Sequence, residues 1–184
     1  FMTRLPALLI ALCALAPMAF AQSLPRPISD DDFAPENIDE AVLGQLLFYD
    51  PILSGNLDVA CATCHHPALG TADGVSLSLG DGGIGLGPDR RVDPDNLPEQ
   101  RIPRNAPALF NLGAREFTVL FHDGRLEADA TQPNGIRTPM GSDMTQGFAS
   151  ILSAQTMFPV LSRDEMAGSH NENEIGRASC RERV

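Results

Sequence analysis

Apolar residues recur at helical spacing near the start of the chain, where Ile38, Val42, Leu46 and Leu47 share one face. Asn37 precedes them as a cap. Asp50-Pro51 follows as a stop, because the residue before a proline is pushed out of the helical region. Phe148, Ile151, Leu152 and Gln155 mark a second apolar helical face, whose end is predicted at Pro159. Ser162-Arg163-Asp164-Glu165 has the capping-box pattern and predicts one more helical turn. Between these segments the pattern breaks. Gly70, Gly74, Gly80, Gly82, Gly83, Gly85 and Gly87 crowd the stretch from Gly70 to Pro88, a density no helix holds, so it reads as a long loop. It lacks a Gly-Lys-Ser pattern and a preceding strand, so it does not read as a phosphate cradle. Arg104 to Asn111 predicts a short helix with Asn105 as cap and Pro107 in its first turn. Phe117 to His122, Asp123-Gly124 and Arg125 to Glu127 predict a hairpin with a tight Asp-Gly turn. Residues 129–141, polar and rich in Pro and Gly, predict a loop. The expected fold is mainly α, with long Gly/Pro-rich loops and at most a short β-hairpin. No internal repeat is visible.

The two ends read differently from the middle. Thr3-Arg4, the apolar run Leu5 to Phe20 and the small residues around Ala21 predict a signal peptide over 1–21. That run is short and broken by Pro6 and Pro17, which argues against a membrane span. Residues 22–37, rich in Pro and Asp, predict an extended arm. Residues 38–173 form the expected domain. Residues 174–184 resemble the translation of a sequencing adapter in one unbroken frame, with an ordinary basic tail as the alternative. Phe1 ahead of Met2 fits a frame opened upstream of its start codon. On this reading Cys180 carries no function and the native protein continues further.

Charge narrows the partners. From Gln22 to Asn173 there are 9 Arg and no Lys against 22 Asp and Glu, near −13 formally. That balance disfavours nucleic acid and anionic membrane. It suits a neutral or basic protein partner, or serves solubility alone.

The chemistry centres on Cys61-Ala62-Thr63-Cys64-His65. Two thiols three positions apart, followed at once by His, is the spacing that attaches a c-type haem. Each thiol adds across one vinyl group, and the imidazole of His65 points at the iron as proximal ligand. The competing readings are half a zinc site or a redox dithiol. Zinc would need another pair of ligands, and the remaining cysteines, Cys13 and Cys180, lie in the leader and the tail. Export agrees with this site, since c-type attachment in bacteria resembles a process completed outside the cytoplasm.

Six stretches in order resemble the bacterial di-haem cytochrome c peroxidases and the related MauG-type enzymes. They are Leu43 to Pro51, the link containing Ser54, Cys61 to His65, Arg104-Asn105-Ala106-Pro107, Phe121-His122-Asp123-Gly124-Arg125, and Asp164-Glu165-Met166. Together they span about Ile38 to Gly168. The resemblance implies a cytochrome c-like, peroxidatic first haem domain of a longer periplasmic protein. That protein would reduce hydrogen peroxide with electrons from a small donor, a cytochrome c or a cupredoxin. Cys61, Cys64 and His65 match the haem c positions. Glu165 matches a distal-pocket acid that moves a proton between the peroxide oxygens, and Gln155 aligns more loosely with a distal Gln. Asn105 matches a ligand of a calcium ion held between domains; its other ligands would lie outside this chain. Arg125 can neutralise a haem propionate or make a surface ion pair. A homodimer is implied for the full-length protein, and no stable membrane insertion after leader cleavage. Peroxide reduction requires two stored oxidising equivalents. With no Trp and only Tyr49, a second haem is the reasonable store.

Two departures from the family pattern stand out. The Gly-rich loop holds no His, so no removable sixth ligand is expected from it. His122 occupies the position of a family Trp. Two other readings stay open: a mono-haem electron carrier with Met140 as second axial ligand, and MauG-like oxidation of a partner protein. A haem sensor is a further, binding-only alternative. His66 and His170 read as surface residues.

Overall fold

The computed structural model describes residues 24–132, 134–141 and 146–168. The expected leader, residues 1–21, and the tail, residues 174–184, lie outside the described residues. So does His170.

The arm is extended apart from one 3-10 turn, Asp30–Asp32, in which Asp32 pairs with Arg26 and accepts from the Ser29 backbone N–H at 2.8 Å. Arg115 ties this turn to the body. Its Nη1 donates to the Asp31 carbonyl at 2.5 Å and its backbone N–H to the Asp32 carbonyl at 2.9 Å.

Helix α1, Ile38–Tyr49, begins and ends where the pattern places it. The Asn37 side chain accepts from Asp39 N and Glu40 N, and the Asp50 carboxylate accepts from Ile52 N as the chain turns into Pro51–Leu53. Its apolar stripe is not buried. Ile38, Val42 and Leu46 are 63, 52 and 64% exposed, and Leu47 is half-buried. The spacing predicted the helix correctly, but not a cover for its face among the described residues. Beside α1 runs the single turn of α2, Cys61–Cys64.

The apolar core sits between a small sheet and two short helices. Strands β3 (Val119–Leu120), β4 (Leu126–Ala128) and β5 (Ile136–Arg137) form an antiparallel sheet in that order, with Leu120 opposite Leu126 and Ala128 opposite Ile136. Helices α3 (Ile151–Gln155) and α4 (Met157–Leu161) follow. Leu120, Leu126, Ile136, Ile151 and Ala154 are buried together, with Phe121, Phe148, Leu152 and Phe158 packed around them. Glu127 and Arg137, register partners on β4 and β5, form a cross-strand ion pair of the kind that favours one register. Earlier in the chain β1 (Gly83–Ile84) pairs antiparallel with β2 (Arg91–Val92).

Several local expectations are corrected. Residues 129–141 are not all loop, because β5 completes the sheet, and the strand content exceeds one short hairpin. The hairpin itself exists, but its loop is five residues wide, 121–125. Phe121 (φ +63°) and Gly124 (φ +68°) both adopt the left-handed conformation there. Arg104 to Asn111 forms no helix. The Leu109 N–H donates instead to the Thr71 hydroxyl at 2.8 Å, which holds the segment against the haem-motif loop. Pro159 does not end a helix; it stands third in α4. That position has no intrahelical partner for its missing N–H, so the ring is tolerated. Ser162 precedes a one-turn π-helical segment, Arg163–Ala167, without a side-chain cap bond to its backbone, so the capping box does not form.

Candidate active site

The Cys61–His65 turn is prepared from the residues before it. The Ser54 hydroxyl accepts from Asp58 N at 2.9 Å and Val59 N at 3.1 Å, fixing the approach to α2. Thr63, inside the motif, accepts from Ala60 N at 3.0 Å and so caps its own turn. His65 N donates to the Cys61 carbonyl at 2.9 Å and closes it. Residues three apart on a helical turn share a face, so the two thiols are neighbours. Neither is in a disulfide. Burial pushes both thiols up, Cys64 to about 11, so each stays protonated at neutral pH.

The His65 imidazole is oriented by its Nδ1, 3.0 Å from the Thr71 carbonyl oxygen. A carbonyl only accepts, so Nδ1 carries the proton and Nε2 keeps its lone pair for a metal. Thr71 sits at φ +59°, and its hydroxyl donates to the Gly70 carbonyl at 2.7 Å while accepting from Leu109 N. Two free thiols on one face and an imidazole with Nε2 available fit a covalently attached haem.

Glu165 lies in the Arg163–Ala167 turn, half-buried. Burial raises its carboxyl above the ordinary range. A side-chain hydrogen bond from Ser162, then the positive charge of Arg125, oppose that rise, and His65 lies near enough to act in the same sense when it is protonated. Glu165, Arg125 and the haem-motif His thus share one electrostatic neighbourhood, although Arg125 and His65 are separated from Glu165 by 40 and 100 residues. Arg125 is itself held in place, with its guanidinium 4.2 Å over the Phe121 ring and 3.6 Å from the Asp123 carboxylate. Phe121 in turn meets Phe158 edge to face at 5.2 Å.

The other expected site residues differ in their exposure. Gln155 is half-buried at the last position of α3, joined to the Glu165 turn through α4. Asn105 is exposed, and among the described residues no group of three or more His, Cys, Asp or Glu side chains converges on a metal position. Met140 is 42% exposed, and His122 is exposed at the hairpin tip. His66 accepts from Ala68 N and caps the Pro67–Leu69 turn. Sequence reasoning missed Thr71 and Phe158, which carry no motif, and gave Phe121 no role of its own within the matched stretch from Phe121 to Arg125. A threonine directly after a glycine, six residues past the motif's His, was the available but weak signal for Thr71.

The donor set is that of a haem bound through two thioethers, and comparison with known proteins narrows the class further. Residues 39–180 match the di-haem cytochrome c peroxidase family. The chain belongs to that family. It is 40% identical over 91 residues to cytochrome-c peroxidase IdrP2 of Denitromonas iodatirespirans, covering 50% of this chain and 20% of that protein. It is 36% identical over 115 residues to methylamine utilization protein MauG of Methylorubrum extorquens, covering 61% and 26%. To cytochrome c551 peroxidase of Pseudomonas aeruginosa it is 31% identical over 117 residues, covering 64% and 29%. The matched region is thus under a third of each relative's length. Among the described residues no helix is long and apolar enough to cross a membrane.

Proposed function

We propose that this chain is the peroxidatic haem domain of a periplasmic di-haem peroxidase, with a cytochrome c-like helical framework around the haem. The supporting observation is the half-buried Glu165 carboxyl within electrostatic reach of the oriented His65 and of Arg125. Hydrogen peroxide takes up two electrons and two protons to give two waters, so a proton must be moved as the O–O bond breaks.

When bound, haem supplies the iron at which the electrons reach peroxide. Cys61 and Cys64 would hold it covalently, and the Thr71 carbonyl, by keeping the proton on Nδ1, would leave the His65 Nε2 free to ligate its iron. The Glu165 carboxylate would take a proton from one peroxide oxygen and return it to the other, which departs as the first water when the O–O bond breaks; the remaining oxygen becomes the second water on taking up the two electrons and two protons. Arg125 favours the ionised carboxylate that this role needs, and Phe121 keeps the guanidinium in place.

The electron donor is proposed to be a small redox protein, a cytochrome c or a cupredoxin, suited to an acidic surface. Asn105 is proposed as one calcium ligand completed by residues outside this chain, and homodimerisation as a property of the full-length protein. Similarity to MauG keeps a second reading, oxidation of a partner protein, on the same site.

The test is the absorption spectrum of the haem-loaded, oxidised protein mixed rapidly with peroxide. A high-spin spectrum that changes within the mixing experiment, slowed in Glu165→Gln, supports the proposal. A low-spin spectrum with a sulfur-ligand band, unmoved by peroxide, replaces it with electron transfer through Met140.

A further inference from the structure

The Gly-rich loop carries no His, yet it touches the backbone of the Glu165 turn. The Asp81 N–H donates to both the Asp164 carbonyl, at 3.2 Å, and the Glu165 carbonyl, at 3.0 Å. Gly80 lies so close that a Cβ there would collide with the Asp164 and Glu165 carbonyl oxygens and come within 2.6 Å of the Glu165 Cα. Asn56 donates to the Asp81 carboxylate at 2.7 Å, and Gly55 N donates to the Met166 carbonyl at 2.8 Å, so the same contact is buttressed from the haem-motif side.

A loop this rich in glycine has no conformation of its own to offer as a shelf. Arg90 supplies the constraint. Its guanidinium donates to three carbonyls of the loop, Leu79 at 2.5 Å, Gly80 at 2.7 Å and Gly85 at 2.8 Å. Gly83 allows this approach, because a Cβ there would lie 2.7 to 2.8 Å from the guanidinium atoms. Two glycines therefore serve two close approaches, Gly83 to Arg90 and Gly80 to Glu165. The planar fork of arginine can satisfy several acceptors at once, which an ammonium on a flexible stem does less well.

We propose that Arg90 is a positioning residue for Glu165: it locks the Leu79–Gly80 backbone, on which the Asp164–Glu165 backbone rests, so that loop and carboxylate behave as one body. The catalytic part of this assignment rests on Glu165 as the proton-moving group; the mechanical part does not.

Both parts are tested on the haem-loaded full chain. Amide hydrogen exchange is followed in peptides covering 79–82, 162–168 and, as reference, 118–128. Arg90→Gln should speed exchange about tenfold or more in the first two and leave the reference unchanged. The peroxide-driven spectral change should slow about tenfold in Arg90→Gln, with no further slowing when the substitution is added to Glu165→Gln, because both act through one group. Arg90→Lys should fall between, and Gly80→Ala, which leaves Arg90 intact, should reproduce the non-additive kinetic loss. Faster exchange in 79–82 with 162–168 unchanged overturns the proposal, as does a loss that multiplies with that of Glu165→Gln. A normal rate and normal exchange in Gly80→Ala overturns it too. If Glu165→Gln itself leaves the peroxide reaction intact, the functional reading fails, while the exchange measurements still decide the coupling. If Arg90→Gln does not mature, the Arg90→Lys and Gly80→Ala measurements decide it.

Discussion

The Nδ1 of His65 lies 3.0 Å from the carbonyl oxygen of Thr71, and that one contact sets the tautomer of the His65 imidazole. Because a backbone carbonyl makes it, the contact depends on the path of the chain at Thr71. The Thr71 hydroxyl maintains that path by bonding Gly70 and Leu109. Thr71→Ala keeps the carbonyl but loses both hydroxyl bonds, and should cost about 1–2 kcal/mol of stability. Denaturant unfolding of the haem-loaded protein checks the stability. A shift in the haem absorption bands of the folded variant reports a loosened imidazole.

Glu165→Gln preserves the size of the side chain and removes its basicity. The peroxide-driven spectral change should slow by roughly 10²–10⁴-fold, the range of a lost acid–base group. Haem content per protein should be unchanged, since Cys61, Cys64 and His65 are untouched. Stopped-flow mixing against equal haem concentrations measures both.

The same carboxyl gives a pH dependence of defined sign. Burial raises Glu165 in the folded protein, so the native state holds its proton more tightly than the unfolded chain does. Its contribution to stability therefore falls as pH rises from the unfolded value, about 4.3, through the raised folded value. Over that window the peroxide reaction, which needs the carboxylate, should accelerate. Unfolding free energies and rates measured across pH should slope in opposite directions, and Glu165→Gln should flatten both.

Leu126 is fully buried between the sheet and α3, in contact with the Leu120, Ile136, Ile151 and Ala154 cluster. Leu126→Ala should cost about 2–5 kcal/mol, a lost transfer term plus a cavity. Because the next residue back is Arg125, some of the loss should also appear as a slower peroxide reaction. Chemical denaturation and stopped-flow traces of the same preparation separate the two effects.

What could be read along the chain was whatever closes within a few residues. The Asn37 cap, the Asp50 stop, the thiol spacing of Cys61 and Cys64, and the existence of the hairpin all depend on bonds between near neighbours. Local signals also misled where the outcome depended on distant partners. Arg104 to Asn111 has the residues of a helix start, but the Thr71 hydroxyl takes the Leu109 N–H. Pro159 reads as a stop, yet it lands third in a helix, where no N–H is required. The apolar stripe of α1 predicted the helix but not that, among the described residues, its face stays exposed.

By itself, then, the sequence determined that this is a haem-attaching chain of a particular family with an acidic exterior, because thiol spacing and ordered motifs are one-dimensional properties. Only the tertiary structure decided that Thr71 orients His65 and that Arg125 and His65 share the electrostatic neighbourhood of Glu165. Only it showed that Gly83 and Gly80 permit close contact with Arg90 and with the Glu165 backbone. Those relationships join backbone segments up to 100 residues apart, and a glycine chosen for the atom it lacks leaves no sign of which neighbour will occupy the space.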